Sequence, residues 1–243
     1  SIKKKYLNFS KKGNDNAVVY QTTEAGNSDS FEFISGSKGD IHERTLGFTL
    51  EANVMFPKYF HDETDDFYDR NWLTSSLFGM FRADHTASSD VTTFAPSGSD
   101  YSNFQIQFIR DFPRSRSGHF RISSSNSPYP IPEMTSSKFL EVYDDDNWLI
   151  SFTLQPKRYR ELSVVSGASH LDVDGYDAIF AGYHKVMGTT VDSFYLTQSM
   201  ETTASRDFLM SDKRIFAGAH RDNITGTLLY RNDTKLTEMR YWA

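Results

Sequence analysis

Apolar and polar residues alternate with a period of two in several stretches of the chain, the pattern of strands that seal one face from water. Between Gly47 and Pro57, Phe48, Leu50, Ala52, Val54 and Phe56 fall on one face, and Thr49, Glu51, Asn53 and Met55 fall on the other. Between Asn103 and Arg110, Phe104, Ile106 and Phe108 alternate with Gln105 and Gln107; after it, Phe120 and Ile122 alternate with His119, Arg121 and Ser123. These two stretches read as a pair joined by the polar segment Asp111 to Gly118, with Pro113 and Gly118 as turn formers. Trp148 to Leu154 puts Ile150, Phe152 and Leu154 on one side. Further strands are predicted at Lys5 to Phe9, Ser30 to Ile34, Ser76 to Phe81, Ser193 to Leu196, Lys213 to Ala219, Gly226 to Tyr230 and Leu236 to Trp242, the last with a break in alternation that a β-bulge would explain. Helical periodicity is weak and confined to Asp65 to Leu73 and Ser205 to Leu209.

All seven prolines lie between Pro57 and Pro156, and three of them sit in Ser127-Pro128-Tyr129-Pro130-Ile131-Pro132, which cannot pair as a central strand. This segment reads as a surface loop, as do the Ser- and Thr-rich stretches Thr86 to Ser102 and Ser123 to Ser127. No repeat of fixed period is present. Many strands separated by turns, without intervening helices, leave a sandwich or a barrel as the economical ways to bury one face of every strand. A single domain is the simpler account.

Composition supports the all-β expectation: 20 Phe, 13 Tyr and 3 Trp in 243 residues favour half-buried pleated surfaces. The net charge of -6 offers no footprint for a polyanion, which argues against a nucleic-acid partner. The absence of cysteine excludes disulfides, thiolate metal sites and cysteine nucleophiles. No apolar run approaches the roughly 20 residues that span a bilayer, so no membrane insertion by a helix is expected. The chain begins at Ser1 without Met and stops at Ala243 straight after an apolar stretch, which we read as a module of a longer polypeptide.

The order of motifs resembles the concanavalin A-like, or laminin-G-like, domain superfamily over nearly the whole chain. Tyr6-Leu7-Asn8-Phe9 looks like the first strand of that family, and Phe48-Thr49-Leu50-Glu51-Ala52-Asn53-Val54 looks like its early F-T-[IL]-E-x-W-[VI] strand, with Asn53 in place of the customary aromatic. Leu77-Phe78-Gly79-Met80-Phe81, Asn147 to Thr153, the Leu171-Asp172-Val173-Asp174-Gly175 hairpin, Ile215 to Ala219 with Ile224-Thr225-Gly226, and the ending Leu236 to Trp242 follow in the family's order. The resemblance implies a two-sheet antiparallel jelly-roll β-sandwich in which the first and last strands pair.

Jelly-roll glycoside hydrolases need paired carboxylates about 5 Å apart. The nearest text, Glu141-Val142-Tyr143-Asp144, has the wrong spacing for their E-x-D-x-x-E pattern and reads instead as an acidic turn before Trp148. No cofactor is fixed by the sequence; calcium is the one candidate, with oxygen donors in the runs Asp62 to Asp66 and Asp144 to Asp146, Asp144 and Asp146 foremost. A charged loop is the plainer reading of both runs. Asp172 to Asp177 reads as a hairpin turn. The seven histidines show no metal-ligand spacing, and no serine has a G-x-S-x-G context. Tyr68, Trp72, Tyr129 and Tyr143 are the loop aromatics that could stack on a sugar ring, although core packing is the commoner fate of such residues.

These features predict a non-catalytic carbohydrate-recognition or adhesion module of an extracellular or virion-surface protein, with a glycan or other protein subunits as partners. The alternatives are an architectural module of a phage or viral appendage and a jelly-roll glycoside hydrolase.

Overall fold

The computed structural model describes residues 5–10, 13–22, 47–58, 72–82, 104–124, 131–157, 175–201, 204, 205, 208, 213–221 and 227–242. Its strands, in chain order, are β1 (Leu7–Asn8), β2 (Val18–Thr22), β3 (Phe48–Phe56), β4 (Thr74–Arg82), β5 (Phe104–Arg110), β6 (Gly118–Ser123) and β7 (Met134–Phe139). They continue as β8 (Asp146–Pro156), β9 (Tyr176–Val186), β10 (Thr189–Met200), β11 (Lys213–Gly218), β12 (His220–Arg221), β13 (Leu228–Tyr230) and β14 (Lys235–Trp242).

Two antiparallel sheets of six strands each form a jelly-roll β-sandwich: sheet A runs β1-β14-β3-β8-β9-β10 and sheet B runs β2-β11-β4-β5-β6-β7. The hydrophobic face of each alternating strand turns inward. In β3 every second residue from Phe48 to Phe56 is buried, and in β8 Trp148, Ile150, Phe152 and Leu154 are fully buried. Aromatic rings bridge the sheets: Phe104 lies 4.6 Å from Phe152, Phe56 lies 5.1 Å from Phe108, and Phe120 lies 4.8 Å from Trp148. Both sheets therefore share one core cluster.

The predicted pairing of β5 with β6 is present, with Ile106 opposite Ile122 and Phe108 opposite Phe120. The first and last strands pair, Leu7 opposite Leu236. The bulge expected in the last strand falls between Thr237 and Arg240, where Glu238 takes a φ of 52°.

Several strands depart from the expectation. The periodicity gave no warning of β2, β7, β9 or β12, and β10 has 12 residues where only Ser193 to Leu196 had been expected. In β9 the inward positions Tyr176, Ala178 and Phe180 join the core, but the stripe is cut short by Gly182 and His184 at the next inward positions. In β7 only Met134, Ser136 and Phe139 are buried. The predicted strand at Ser30 to Ile34 lies outside the described residues, as do most of the two weak helical windows; Ala204, Ser205 and Phe208 are helical.

Candidate functional site

Two of the four aromatics singled out from sequence, Tyr68 and Tyr129, lie outside the described residues. Trp72 is half-buried just before β4, with the Arg231 guanidinium 5.2 Å from its ring. Tyr143 is not a surface aromatic: it is fully buried, and its ring packs edge-on against Phe56 and Phe108 at 5.1 and 5.6 Å. No face of that ring can receive a sugar, which corrects its assignment as a stacking platform.

The reason is a buried polar network that the sequence did not disclose. Asp233, on the segment leading into β14, accepts hydrogen bonds from the Tyr143 hydroxyl at 2.7 Å and from Ser75 Oγ at 2.8 Å, and it is ion-paired with Arg110. Arg110 also donates to the Trp72 carbonyl at 3.2 Å, with its guanidinium 4.4 Å above the Tyr143 ring. Additional hydrogen bonds of this kind offset part of the cost of burying an ion pair. Burial, reinforced by the Asp233 charge and opposed by Arg110, pushes the Tyr143 phenol well above its ordinary range. The network ties β4 and β5 of sheet B to the chain entering sheet A. Asn232 is fully buried beside it.

The acidic turn does not suit calcium. Asp144 is held between Lys58 Nζ at 2.6 Å and Arg116 Nη2 at 2.5 Å. The Lys58 hydrogen bond, with the Arg116 charge, keeps its carboxyl below the usual carboxylate range. Asp146 lies 3.5 Å from His184 Nε2, and burial raises its affinity for a proton. Two cations already neutralise Asp144, and Asp146 faces His184, so these two carboxylates are engaged with basic side chains and do not fit the expected calcium site. Nor does the Glu141 and Asp144 pair suit general acid catalysis. Arg116 binds both carboxylates, Glu141 at 2.7 Å, and Asp144, held below the usual carboxylate range, lacks the raised pKa of an acid catalyst.

A different group of residues stands out on the outer face of sheet B. In β5 the core takes Phe104, Ile106 and Phe108, so Gln105 and Gln107 point away from it. Both are nevertheless only 2% exposed. Gln107 lies opposite Ser76 of β4 and Arg121 of β6, and Arg121 lies opposite Thr135 of β7. One step along the strands, Gln105 lies opposite Gly79 and Ser123, and Gly79 lies opposite Phe216 of β11. Ser76 Oγ, Gln105 Oε1 and Arg121 Nε are buried without a hydrogen-bond partner. Together they put two acceptors and one donor on one sheet face.

The aromatic side of this face is built around glycine. A Cβ at Gly79 would stand 2.9 Å from Phe216 Cε1, so the ring lies over the bare backbone. Phe216 stacks on His220 at 5.2 Å, and His220 on Tyr230 at 6.0 Å. The two alternating glutamines were visible in the sequence as the polar side of a strand; that they are buried was not.

No family model matches the chain, and no curated protein matches it. Solved structures similar to it include the CBM2 module of the evolved Dit of Lactobacillus casei BL23 phage J-1, at 10% identity and a TM-score of 0.41, covering 85% of this chain and 64% of that one. An alginate lyase from Pseudomonas aeruginosa is similar at 10% identity and a TM-score of 0.37, with coverage of 82% and 66%. A family 7 alginate lyase in complex with substrate is similar at 8% identity and a TM-score of 0.36, with coverage of 82% and 61%. The chain thus spans less than two thirds of each of these proteins. Likenesses this distant carry no weight for function.

Proposed function

We propose that this chain is a single concanavalin A-like sandwich domain that recognises carbohydrate without cleaving it, and that it serves as a module of an extracellular or virion-surface protein. The observation that carries the reading is the outer face of sheet B, where Ser76 Oγ, Gln105 Oε1 and Arg121 Nε are buried and unpartnered. Hydroxyl groups that both donate and accept are suited to such a mixed set: the amide oxygen and the serine accept, while the guanidinium donates. A glycan array followed by calorimetry tests it. Saturable binding that Gln105→Ala weakens is expected; no binding across the array, with and without calcium, contradicts the proposal.

A second reading, an architectural module in a phage or viral appendage, is favoured by the β9–β10 hairpin. Its tip exposes Val186, Met187 and Val191, with Met187 fully open to solvent. Apolar surface of this kind suits a protein contact. A full-length parent that is strictly monomeric, with no subunit covering the tip, would remove this reading.

A further inference from the structure

Strand β10 is the last strand of sheet A, so one of its two backbone edges has no described strand beside it. We infer that this edge pairs, antiparallel and about a two-fold axis at Tyr195, with β10 of a second copy of the chain. The two A sheets then join into a single sheet of twelve strands, six from each copy. The pairing makes no use of the outer face of sheet B, so it stands whether or not that face takes a glycan.

Edge strands that stay single are guarded by lysine, proline, a bulge, a charge or a covering loop. The tip end of β10 has two such guards, a bulge between Thr190 and Asp192 and the charge of Asp192, whose carboxylate lies 3.8 Å from His184 Nδ1. From Ser193 to Met200 the sequence Ser-Phe-Tyr-Leu-Thr-Gln-Ser-Met holds no charge and no proline, and its ladder to β9 runs without a shift. Ser193, Tyr195, Thr197, Gln198 and Ser199 are exposed, Tyr195 at 62%. This edge is also held in place. Phe194 and Met200 belong to the core, and Gln198 Nε2 donates to the Glu133 carbonyl at 3.2 Å, so little ordering cost opposes a pairing.

The occupant follows from what the strand offers when it is turned onto itself. With Tyr195 on the axis, Ser193 meets Thr197 of the second copy, and Phe194 meets its Leu196. Asp192, the one charge on the strand, meets Gln198 of the second copy, so no like charges oppose each other. The two Tyr195 rings meet on the outer face of the joined sheet as a cross-strand aromatic pair. Antiparallel pairing also brings Glu201, just past the end of one β10, beside the hairpin tip of the other, which carries Lys185 on β9 opposite Thr190. Both side chains are exposed, and together they can span the two strand spacings, about 10 Å, that separate their backbones. Opposite charges therefore meet at both ends of the joint.

The test is sedimentation equilibrium on the whole chain at concentrations up to about 1 mM, because a strand pair buries less than a standard interface of about 1,600 Å² and the dimer should be weak. A monomer–dimer equilibrium is expected. Tyr195→Lys puts two like charges directly opposite each other and should raise the dissociation constant at least about tenfold. Mixing that variant with Tyr195→Asp should restore the dimer. The chain has no cysteine of its own, so mild oxidation of Tyr195→Cys should give a disulfide-linked dimer. Thr197→Cys, which lies opposite Ser193 of the second copy and not opposite itself, should stay unlinked. A chain that remains monomeric throughout, a dimer that Tyr195→Lys leaves intact, or Thr197→Cys linking faster than Tyr195→Cys would overturn the pairing. A monomeric chain that takes an extended peptide along β10 would overturn it as well.

Discussion

Gly182 and Phe194 stand opposite each other across the β9–β10 ladder, and a Cβ on Gly182 would lie 2.2 Å from Phe194 Cε1. The glycine is the recess into which the ring packs, and Ile150 closes the same recess from β8. Gly182→Ala should therefore lower stability by about 1–3 kcal/mol through overpacking. Urea unfolding measures the loss, and Phe194→Leu in the same chain should recover part of it. An unchanged midpoint would show that the ring has room elsewhere.

Arg110 and Asp233 are both fully buried, so removing one strands the other. Asp233→Ala should cost about 3–5 kcal/mol. Replacing both residues together with apolar side chains of similar volume should cost less than Asp233→Ala alone. Denaturant midpoints of the parent and the two variants check this; a double variant at least as unstable as Asp233→Ala would contradict it.

Tyr143 and Tyr241 both have phenols pushed well above the ordinary range by burial. A phenol that ionises with more difficulty in the folded chain contributes its full stabilisation below the unfolded value near pH 10, and loses it as pH rises through the folded value. Stability should accordingly fall above about pH 10. Tyr143→Phe and Tyr241→Phe should each flatten that alkaline limb. Tyr143→Phe should also cost stability at neutral pH, of the order of 1–2 kcal/mol, through the hydrogen bonds lost by Asp233 and Ser75. Absorbance of phenolate against pH, set beside unfolding curves, gives both readings.

Asp144, held by Lys58 and Arg116, ionises below the usual carboxylate range. Its favourable contribution is present above the unfolded value and disappears as pH falls through the folded one. Asp144→Asn should therefore reduce stability slightly at neutral pH and leave it unchanged in strong acid. Calcium should leave the melting temperature of the parent chain unchanged, since a ligand that does not bind the folded state cannot stabilise it. A calcium-dependent rise that Asp144→Asn abolishes would reverse the assignment of this turn.

The sandwich was legible wherever the inward positions are large and apolar. Phe48 to Phe56 declares its strand, its face and its place in the core by alternation alone, and the break around Glu238 declares a bulge. Strand β9 was hidden because space for Phe194 is made with Gly182, and a missing side chain leaves no mark in a hydrophobic pattern. Tyr143 looked like a loop aromatic because its partners, Arg110 and Asp233, stand 33 and 90 residues away along the sequence. Likewise the polar side of β5 was readable as Gln105 and Gln107. Its burial depends on what lies above the sheet, and period-two alternation carries no information about that.

The most direct test of the account follows the side-chain amides of Gln105 and Gln107 by NMR while an oligosaccharide identified on the glycan array is added. The account predicts that these two amide pairs shift saturably with the bound fraction, together with the Arg121 Nε–H signal. Saturable binding that leaves all three signals in place, and moves residues on another surface, would contradict it.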